Sequence, residues 1–192
     1  MRVIAGSAKG RTLASVPGDS TRPITDRVKS ALFSILTSQE LIAGLRYLDL
    51  FGGTGAVGIE ALSRGAAQVV FCERDRVALR TLQQNLAATG VADRAVVAAG
   101  DAFAYLARPA LVPFDIIYIA PPQYQGLWLK ALRAVDARPA LLTETGQIIV
   151  QIFPKEWIEC PAFPGTEPEL AHLALYDRRQ YGSTALFFFN CK

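Results

Sequence analysis

Between residues 46 and 153, short apolar segments alternate with segments of helical periodicity, and this alternation constrains the fold more than any other feature. Five segments are typical of buried strands: RYLDLF (46–51), QVVFCE (68–73), AVVAAGD (95–101), FDIIYIA (114–120) and GQIIVQIF (146–153). The intervening segments are predicted as helices, one of them capped by Asp75, with Gly65 and Gly90 as stops. Strands that alternate with helices predict a mostly parallel sheet covered on both faces.

The two ends of the chain add different elements. Residues 1–16 alternate weakly around Gly6 and Gly10 and predict a short hairpin, and residues 17–23 predict a loop. A helix follows, with Thr25 or Asp26 as its N-cap. Near the C-terminus, residues 171–182 and 183–190 read as two strands whose connection is too short for a crossover, so they are expected to be antiparallel. We therefore predict a basic arm (residues 1–24) on one α/β domain (25–192).

Composition limits the class of protein. The chain has 192 residues, 51% of them hydrophobic, which suits one domain with a sizeable core. It has neither an apolar run long enough to cross a bilayer nor a signal-peptide pattern at its start. The cysteines are dispersed (Cys72, Cys160, Cys191), which indicates a reducing, cytoplasmic setting without a zinc site. The lone His172 is interpreted as structural.

Positive charge is concentrated at the N-terminus. Residues 1–29 carry six basic and two acidic side chains, a net charge of +4, whereas the whole chain has +3. A basic arm on a nearly neutral body fits a polyanionic partner such as a nucleic acid. An ordinary solvated surface explains the charge equally well.

The exit of the first strand is rich in glycine. In DLFGGTGAVG, three glycines (Gly53, Gly55, Gly58) match G-x-G-x-x-G, and Glu73 ends the second strand 20 residues after Gly53. In open α/β sheets, ligands bind beyond the carboxyl ends of the strands, and this pattern is typical of adenosine-containing ligands. A nicotinamide dinucleotide and S-adenosylmethionine (SAM) both fit it.

Asp49 favours SAM. Its carboxylate would repel a pyrophosphate in the glycine loop but would attract the ammonium group of a methionine. The simpler alternative is that Asp49 only caps the following turn. Asp101, at the exit of the third strand, can accept a hydrogen bond from an adenine amine or be an ordinary N-cap, and one side chain can do both.

Three segments together resemble the RsmD family of class I SAM-dependent methyltransferases: MRVIAGSAKGRTL, RPITDRVKSALFSIL and YLDLFGGTGAVGIEALSRGA. This family methylates the exocyclic amine of a guanine in 16S ribosomal RNA. The resemblance implies a Rossmann-like sheet of seven strands with the last one antiparallel, SAM as cofactor, and ribosomal RNA or an assembling small subunit as partner, with no metal. It implies cofactor contacts at Asp49, Phe51, Gly53, Gly55, Glu73, Arg74, Asp101 and Ala102, and RNA contacts at Lys9, Arg11, Arg22 and Arg27.

The catalytic motif of the family departs from its pattern here. After the fourth strand, the family has Asp or Asn, then Pro-Pro, then an aromatic residue. This chain has Ala120, Pro121, Pro122, Gln123 and Tyr124, which the resemblance makes the catalytic segment. An exocyclic amine needs an acceptor that orients it and stabilises its developing charge, and Ala120 offers no side-chain acceptor. We expect backbone carbonyls of this segment to hold the amine, with Gln123 assisting and Tyr124 stacking on the base.

Three functions therefore remain open from the sequence. The first is methyl transfer to the guanine N2 amine. In the second, the chain binds SAM and RNA but transfers slowly or not at all, because of Ala120. The third is an NAD(P)-dependent oxidoreductase.

Overall fold

One seven-stranded sheet runs through the part of the chain that the computed structural model describes, residues 1–16, 24–162 and 167–192. The strands lie in the order β3-β2-β1-β4-β5-β7-β6, with β1 to β5 parallel and β7 antiparallel to both of its neighbours. The predicted mostly parallel sheet is confirmed. The strands are β1 (Arg46–Asp49), β2 (Gln68–Glu73), β3 (Ala95–Ala99), β4 (Phe114–Ile119), β5 (Leu142–Ile152), β6 (Leu173–Tyr181) and β7 (Thr184–Cys191).

Helices cover both faces, as the apolar strands require. One face carries α1 (Asp26–Ser38), α2 (Ala56–Ser63) and α3 (Arg76–Thr89). The other carries α4 (Ala102–Leu106), α5 (Leu127–Asp136) and α6 (Pro154–Ile158). Because side chains alternate between the faces of a strand, each strand contributes to both cores.

Some boundaries differ from the predictions. Strand β1 ends at Asp49, two residues early, because the chain turns there into the glycine loop. Strand β5 begins at Leu142, four residues early, because Leu142 pairs with Phe114 beyond an irregularity in the β4–β5 ladder. The N-cap of α1 is Thr25, whose hydroxyl accepts the Val28 N–H.

The N-terminal hairpin is present and docks on α2. Arg2 and Thr12 form its antiparallel bridge. The carboxylate of Glu60 accepts the N–H groups of Ile4 and Ala5 at 2.7 and 3.0 Å. These contacts attach residues 1–16 to the α1–α3 face. The predicted loop at 17–23 lies outside the described residues, so the division at residue 24 stays a prediction.

Candidate active site

A cavity of about 550 Å³ opens at the carboxyl ends of β1 to β5. It spans the point between β1 and β4 where the strand order reverses, which is the usual ligand site of such sheets. Its volume is in the range of small-molecule sites. All but two of the predicted cofactor and catalytic residues line it: Asp49, Phe51, Gly53, Glu73, Arg74, Asp101, Ala102, Ala120, Pro121, Pro122 and Gln123.

Two predicted residues lie outside the lining of this cavity. Gly55 is the N-cap of α2 with φ of 79°, and a Cβ there would lie 2.4 Å from a methyl carbon of Leu82. Gly55 therefore serves the close packing of the loop against α3. Tyr124 is 64% exposed, and its ring stacks on Phe153 at 5.6 Å. Its predicted role in stacking on a base remains untested.

Asp49 is the last residue of β1 and is 4% exposed. The pKa of its carboxyl group is raised to about 7, because burial and the charge of Glu73 raise it by more than the backbone N–H groups of Gly58 and Phe51 lower it. The charged form is therefore poorly stabilised by the protein alone. A cation placed against this carboxylate would restore the charge.

Glu73 ends β2 and fixes the glycine loop. Its Oε2 accepts the Gly53 N–H, and its Oε1 accepts the N–H groups of Arg74 and Asp75, each at 2.8 Å. These bonds hold a carboxylate at the cavity wall in one orientation. A carboxylate has about four acceptor positions, so one remains for a ribose hydroxyl group.

Asp101 caps α4. Its Oδ1 accepts the N–H groups of Phe103 and Ala104, both at 2.9 Å. The N-cap alternative is therefore confirmed, and among the described residues no donor occupies its Oδ2. The proposed contact with an adenine amine stays a prediction that this geometry permits.

An aromatic wall of the cavity was missed in the sequence. Phe103 lines the cavity beside Phe51, with ring centroids 6.4 Å apart in an edge-on arrangement. The Lys130 ammonium lies 4.1 Å from the centre of the Phe103 ring. Flat apolar rings at this position suit a stacked heterocycle. The available signal was the position of Phe103 two residues after Asp101.

The proline segment after β4 is anchored from α6. Glu156 accepts the Tyr124 N–H at 2.9 Å and the Phe153 N–H at 3.4 Å. Burial raises the pKa of the Glu156 carboxyl group, whereas these two backbone bonds lower it. Tyr124 has φ of 58°, so the chain reverses there into α5. Glu156 gave no sequence signal, since it acts across 32 positions.

Two further polar residues of the cavity lie on β4 and β5. Tyr118 is buried, and its hydroxyl donates to Oε1 of Gln151. Both residues line the cavity beside Ala120. Gln151 lies near the end of β5, a strand exit that carries no recognisable motif in the sequence.

The basic N-terminal segment, residues 1–29, exposes fewer positive charges to solvent than its composition suggests. Lys9, Arg11 and Arg27 are exposed, whereas Arg22 lies outside the described residues. Lys29 is fully buried, donates to the Arg2 carbonyl and pairs with Glu60 at 3.3 Å. Burial lowers the pKa of Lys29, and the charge of Glu60 raises it. Lys29 therefore contributes to the net charge of residues 1–29 but not to a surface that could bind a polyanion, because it lies on the buried face of α1.

Within residues 1–16, 24–162 and 167–192, there is no group of three or more histidine, cysteine or acidic side chains placed to hold a metal. No helix in the same ranges is long and apolar enough to cross a membrane. His172 contacts the Asp136 carbonyl through Nδ1 and donates its own N–H to the Asp136 carboxylate, which supports a structural role.

Comparison with known proteins identifies the family. The family model described as conserved hypothetical protein 95 matches residues 1–190. YlbH of Bacillus subtilis is 41% identical over 153 residues, which cover 79% of this chain and 82% of that protein. Ribosomal RNA small subunit methyltransferase D of Escherichia coli K12 is 39% identical over 136 residues, which cover 71% of this chain and 67% of that protein. The chain belongs to the RsmD family of methyltransferases.

Solved structures of similar proteins share this fold. The structure of Escherichia coli yhhF superposes with a TM-score of 0.82 at 30% identity, covering 100% of this chain and 98% of that one. A hypothetical protein of Thermus thermophilus gives a TM-score of 0.77 at 30% identity, with 99% of both chains covered. The enzyme is a methyltransferase and SAM is its cofactor, so the NAD(P)-dependent alternative is wrong.

The residues present fit SAM. A cation at the start of the glycine loop would stabilise the charged form of the buried Asp49 carboxyl group, and SAM carries an ammonium group. Glu73 at the end of β2 offers an acceptor for a hydroxyl group, and Phe51 and Phe103 offer apolar aromatic surface. A dinucleotide would instead bring its pyrophosphate against Asp49.

Proposed function

We propose that this chain transfers a methyl group from SAM to the exocyclic N2 amine of a guanine in small-subunit ribosomal RNA. The observation that carries the proposal is one cavity lined both by Asp49, on β1, and by the Ala120–Pro122 segment, at the exit of β4. The name of the Escherichia coli relative supports ribosomal RNA of the small subunit as the substrate class. The guanine and its N2 amine come from the resemblance to the family.

When bound, SAM supplies a methyl group on a cationic sulfur, which an amine lone pair takes while the sulfur keeps the electrons of the broken bond. Asp49 would hold the ammonium, Glu73 the ribose, and Asp101 with Ala102 the adenine. The rigid segment Pro121-Pro122 would present backbone carbonyls to the amine N–H groups. The nitrogen then releases one proton to solvent.

The substrate base must reach this cavity from an RNA strand. A base inside a helix has to leave its stack to enter such a pocket. The exposed charges of Lys9, Arg11 and Arg27 would attract phosphates without reading the sequence. We propose Arg22 as a fourth contact, ribosomal RNA or an assembling small subunit as the partner, and the cytoplasm as the location.

Ala120 favours one alternative, a protein that binds SAM and RNA with weak or absent transfer. The two functions separate in a transfer assay with methyl-labelled SAM, using naked 16S RNA and small subunits that lack the modification. We expect label on one guanine, located by nuclease digestion and mass spectrometry, and tight SAM binding in calorimetry without NAD binding. SAM binding with no label on either substrate would support the alternative. Label on another base or atom would contradict the guanine N2 assignment.

A further inference from the structure

The proposed transfer needs an acceptor for the amine N–H groups, and Ala120 has no side chain that can supply one. A preorganised acceptor is worth about a hundredfold in rate, since it orients the amine and stabilises its growing positive charge. The question is which polar side chain of this chain reaches the same place. The following inference rests on the proposed function and names a residue for it.

The register of the sheet places Gln151 beside Ala120. Tyr118 pairs with Ile149, and Ile119, the last residue of β4, pairs with Val150. Continuing this register by one residue places Ala120 opposite Gln151. Register partners point to the same side of a sheet, and successive residues alternate. Ala120 and Gln151 therefore lie on the same face, and both line the cavity.

Tyr118 fixes the orientation of the Gln151 amide. The Tyr118 ring lies two residues before Ala120 and is 4% exposed, and its hydroxyl donates to Gln151 Oε1. An amide oxygen has two lone pairs, so one remains for an N–H donor of the substrate. A hydrogen bond from a buried tyrosine holds the acceptor in place before the substrate arrives.

Gln123, the helper expected from the sequence, is held less firmly. It lies on the loop after β4, and among the described residues its amide makes no hydrogen bond. An amide without a fixed partner must be ordered when the substrate binds, which costs side-chain entropy. Gln151 instead extends from a strand that is paired on both sides.

We propose that Gln151 accepts an N–H of the substrate amine through Oε1, in place of the acceptor that Ala120 lacks, and that Tyr118 is its positioning residue. Gln151, whose amide is held by the buried Tyr118, therefore belongs to the active centre. Gln123 then contributes little to the rate.

The chain contains a matched control for this proposal. Gln147 lies on the same strand and the same face, four residues before Gln151, and its Oε1 accepts the Tyr176 hydroxyl at 2.6 Å. It does not line the cavity. Gln147→Met therefore removes a tyrosine–glutamine hydrogen bond from β5 without touching the active site.

The experiment compares steady-state transfer to ribosomal RNA by the wild type, Gln151→Met, Gln147→Met and Gln123→Met, with SAM affinity from calorimetry. We expect Gln151→Met to lose about a hundredfold in kcat, with KM for RNA and Kd for SAM changed by less than about threefold. Gln147→Met should keep kcat within about threefold of the wild type, and Gln123→Met should lose less kcat than Gln151→Met. Gln151→Glu, which keeps an acceptor, should retain most activity.

A double-mutant cycle protects the test against loss of folding. Gln151→Met leaves the buried Tyr118 hydroxyl without its partner, whereas Tyr118→Phe together with Gln151→Met removes both polar groups. Tyr118→Phe should lower kcat by itself and add nothing in the Gln151→Met background. Ala120→Asn should restore transfer to Gln151→Met, since it supplies an acceptor at the adjacent position.

The possible outcomes separate the two proposals. If the wild type methylates guanine but folded Gln151→Met keeps its kcat, the role of Gln151 is refuted and the proposed function stands. The same holds if Gln123→Met loses kcat instead. If the wild type binds SAM but transfers no methyl group to any RNA, both proposals fail.

Discussion

At the scale of single residues, the buried carboxylate of Asp49 destabilises the folded protein when it is charged, and it is proposed to bind the ammonium group of SAM. In the unfolded chain its carboxyl group ionises near its ordinary pKa, but burial raises the folded-state pKa to about 7. Between these two values the folded protein holds one proton more than the unfolded chain. The contribution of Asp49 to stability is therefore greatest at low pH and is lost as the pH rises toward 7.

We predict that SAM affinity rises with pH through this window. Binding of the ammonium requires the charged carboxylate. In the free protein only about a tenth of the Asp49 carboxyl group is charged at pH 6, so Kd for SAM should be about tenfold higher there than above pH 7.5. Calorimetry at several pH values, in buffers of different ionisation enthalpy, should show uptake of SAM coupled to proton release below pH 7. A flat profile would mean that Asp49 is ionised before SAM binds.

Asp49→Asn should remove both the pH dependence of SAM affinity and the loss of stability that a buried charge causes. At pH 8 we expect weaker SAM binding, no dependence of affinity on pH between 6 and 7.5, and a higher midpoint of thermal unfolding of the free protein, because a buried charge is gone. The control is Asp93→Asn, whose carboxylate is 74% exposed and lies in a surface turn. Lower thermal stability of Asp49→Asn would contradict our account of this residue.

At the scale of elements, polar side chains of α2 join the arm to the domain. Glu60 is fully buried, holds the backbone of Ile4 and Ala5, and pairs with Lys29 and Arg64. Ser63 accepts the Ala8 N–H at 2.9 Å. Glu60 and Ser63, both in the segment that resembles the family's SAM loop and following helix, therefore fix the arm.

Gly6→Ala should release the arm. Gly6 and Gly10 both have φ of 83°, but a Cβ on Gly6 would lie 1.9 Å from the Ser63 carbonyl oxygen, whereas nothing lies within 4 Å of one on Gly10. Gly10→Ala should cost only the left-handed strain, about 1–2 kcal/mol. Gly6→Ala should cost more in urea unfolding and should speed hydrogen exchange at Ile4 and Ala5. Equal effects of the two variants would show that the arm is not packed against α2.

At the scale of the whole molecule, the exposed positive charge of the arm and the glycine loop lie on the same layer, whereas the cavity is lined by residues of both layers. The arm, α1 and the glycine loop lie together, and Asn85 of α3 bonds both Ala14 of the arm and the Thr54 carbonyl of the loop. The α4–α6 layer covers the opposite face. The proposed RNA contact at the arm would therefore lie on the side of the molecule that holds the glycine loop.

Arg11→Ala should weaken RNA binding and its salt dependence. Each lost phosphate contact lowers the slope of log affinity against log salt by about 0.7–0.9. Arg133→Ala is the control with equal charge change, since Arg133 is exposed in the last turn of α5 on the other layer. Affinity should be measured by filter binding between about 50 and 200 mM salt. An equal loss in both variants would indicate that only net charge matters.

The sequence by itself determined the elements and most of the site. Local patterns are enough for a parallel sheet, because two-sided apolar strands, caps and glycine stops act over a few residues. Parallel strands end at one edge, so Asp49, Glu73, Asp101 and the Ala120–Pro122 segment could be expected to meet there. Only the tertiary structure decided that Lys29 is buried, that Tyr124 lies outside the cavity and is held by Glu156, and that Phe103 and Gln151 line the cavity. Those facts depend on contacts between residues far apart in the chain and on lateral register, which no short stretch of sequence encodes.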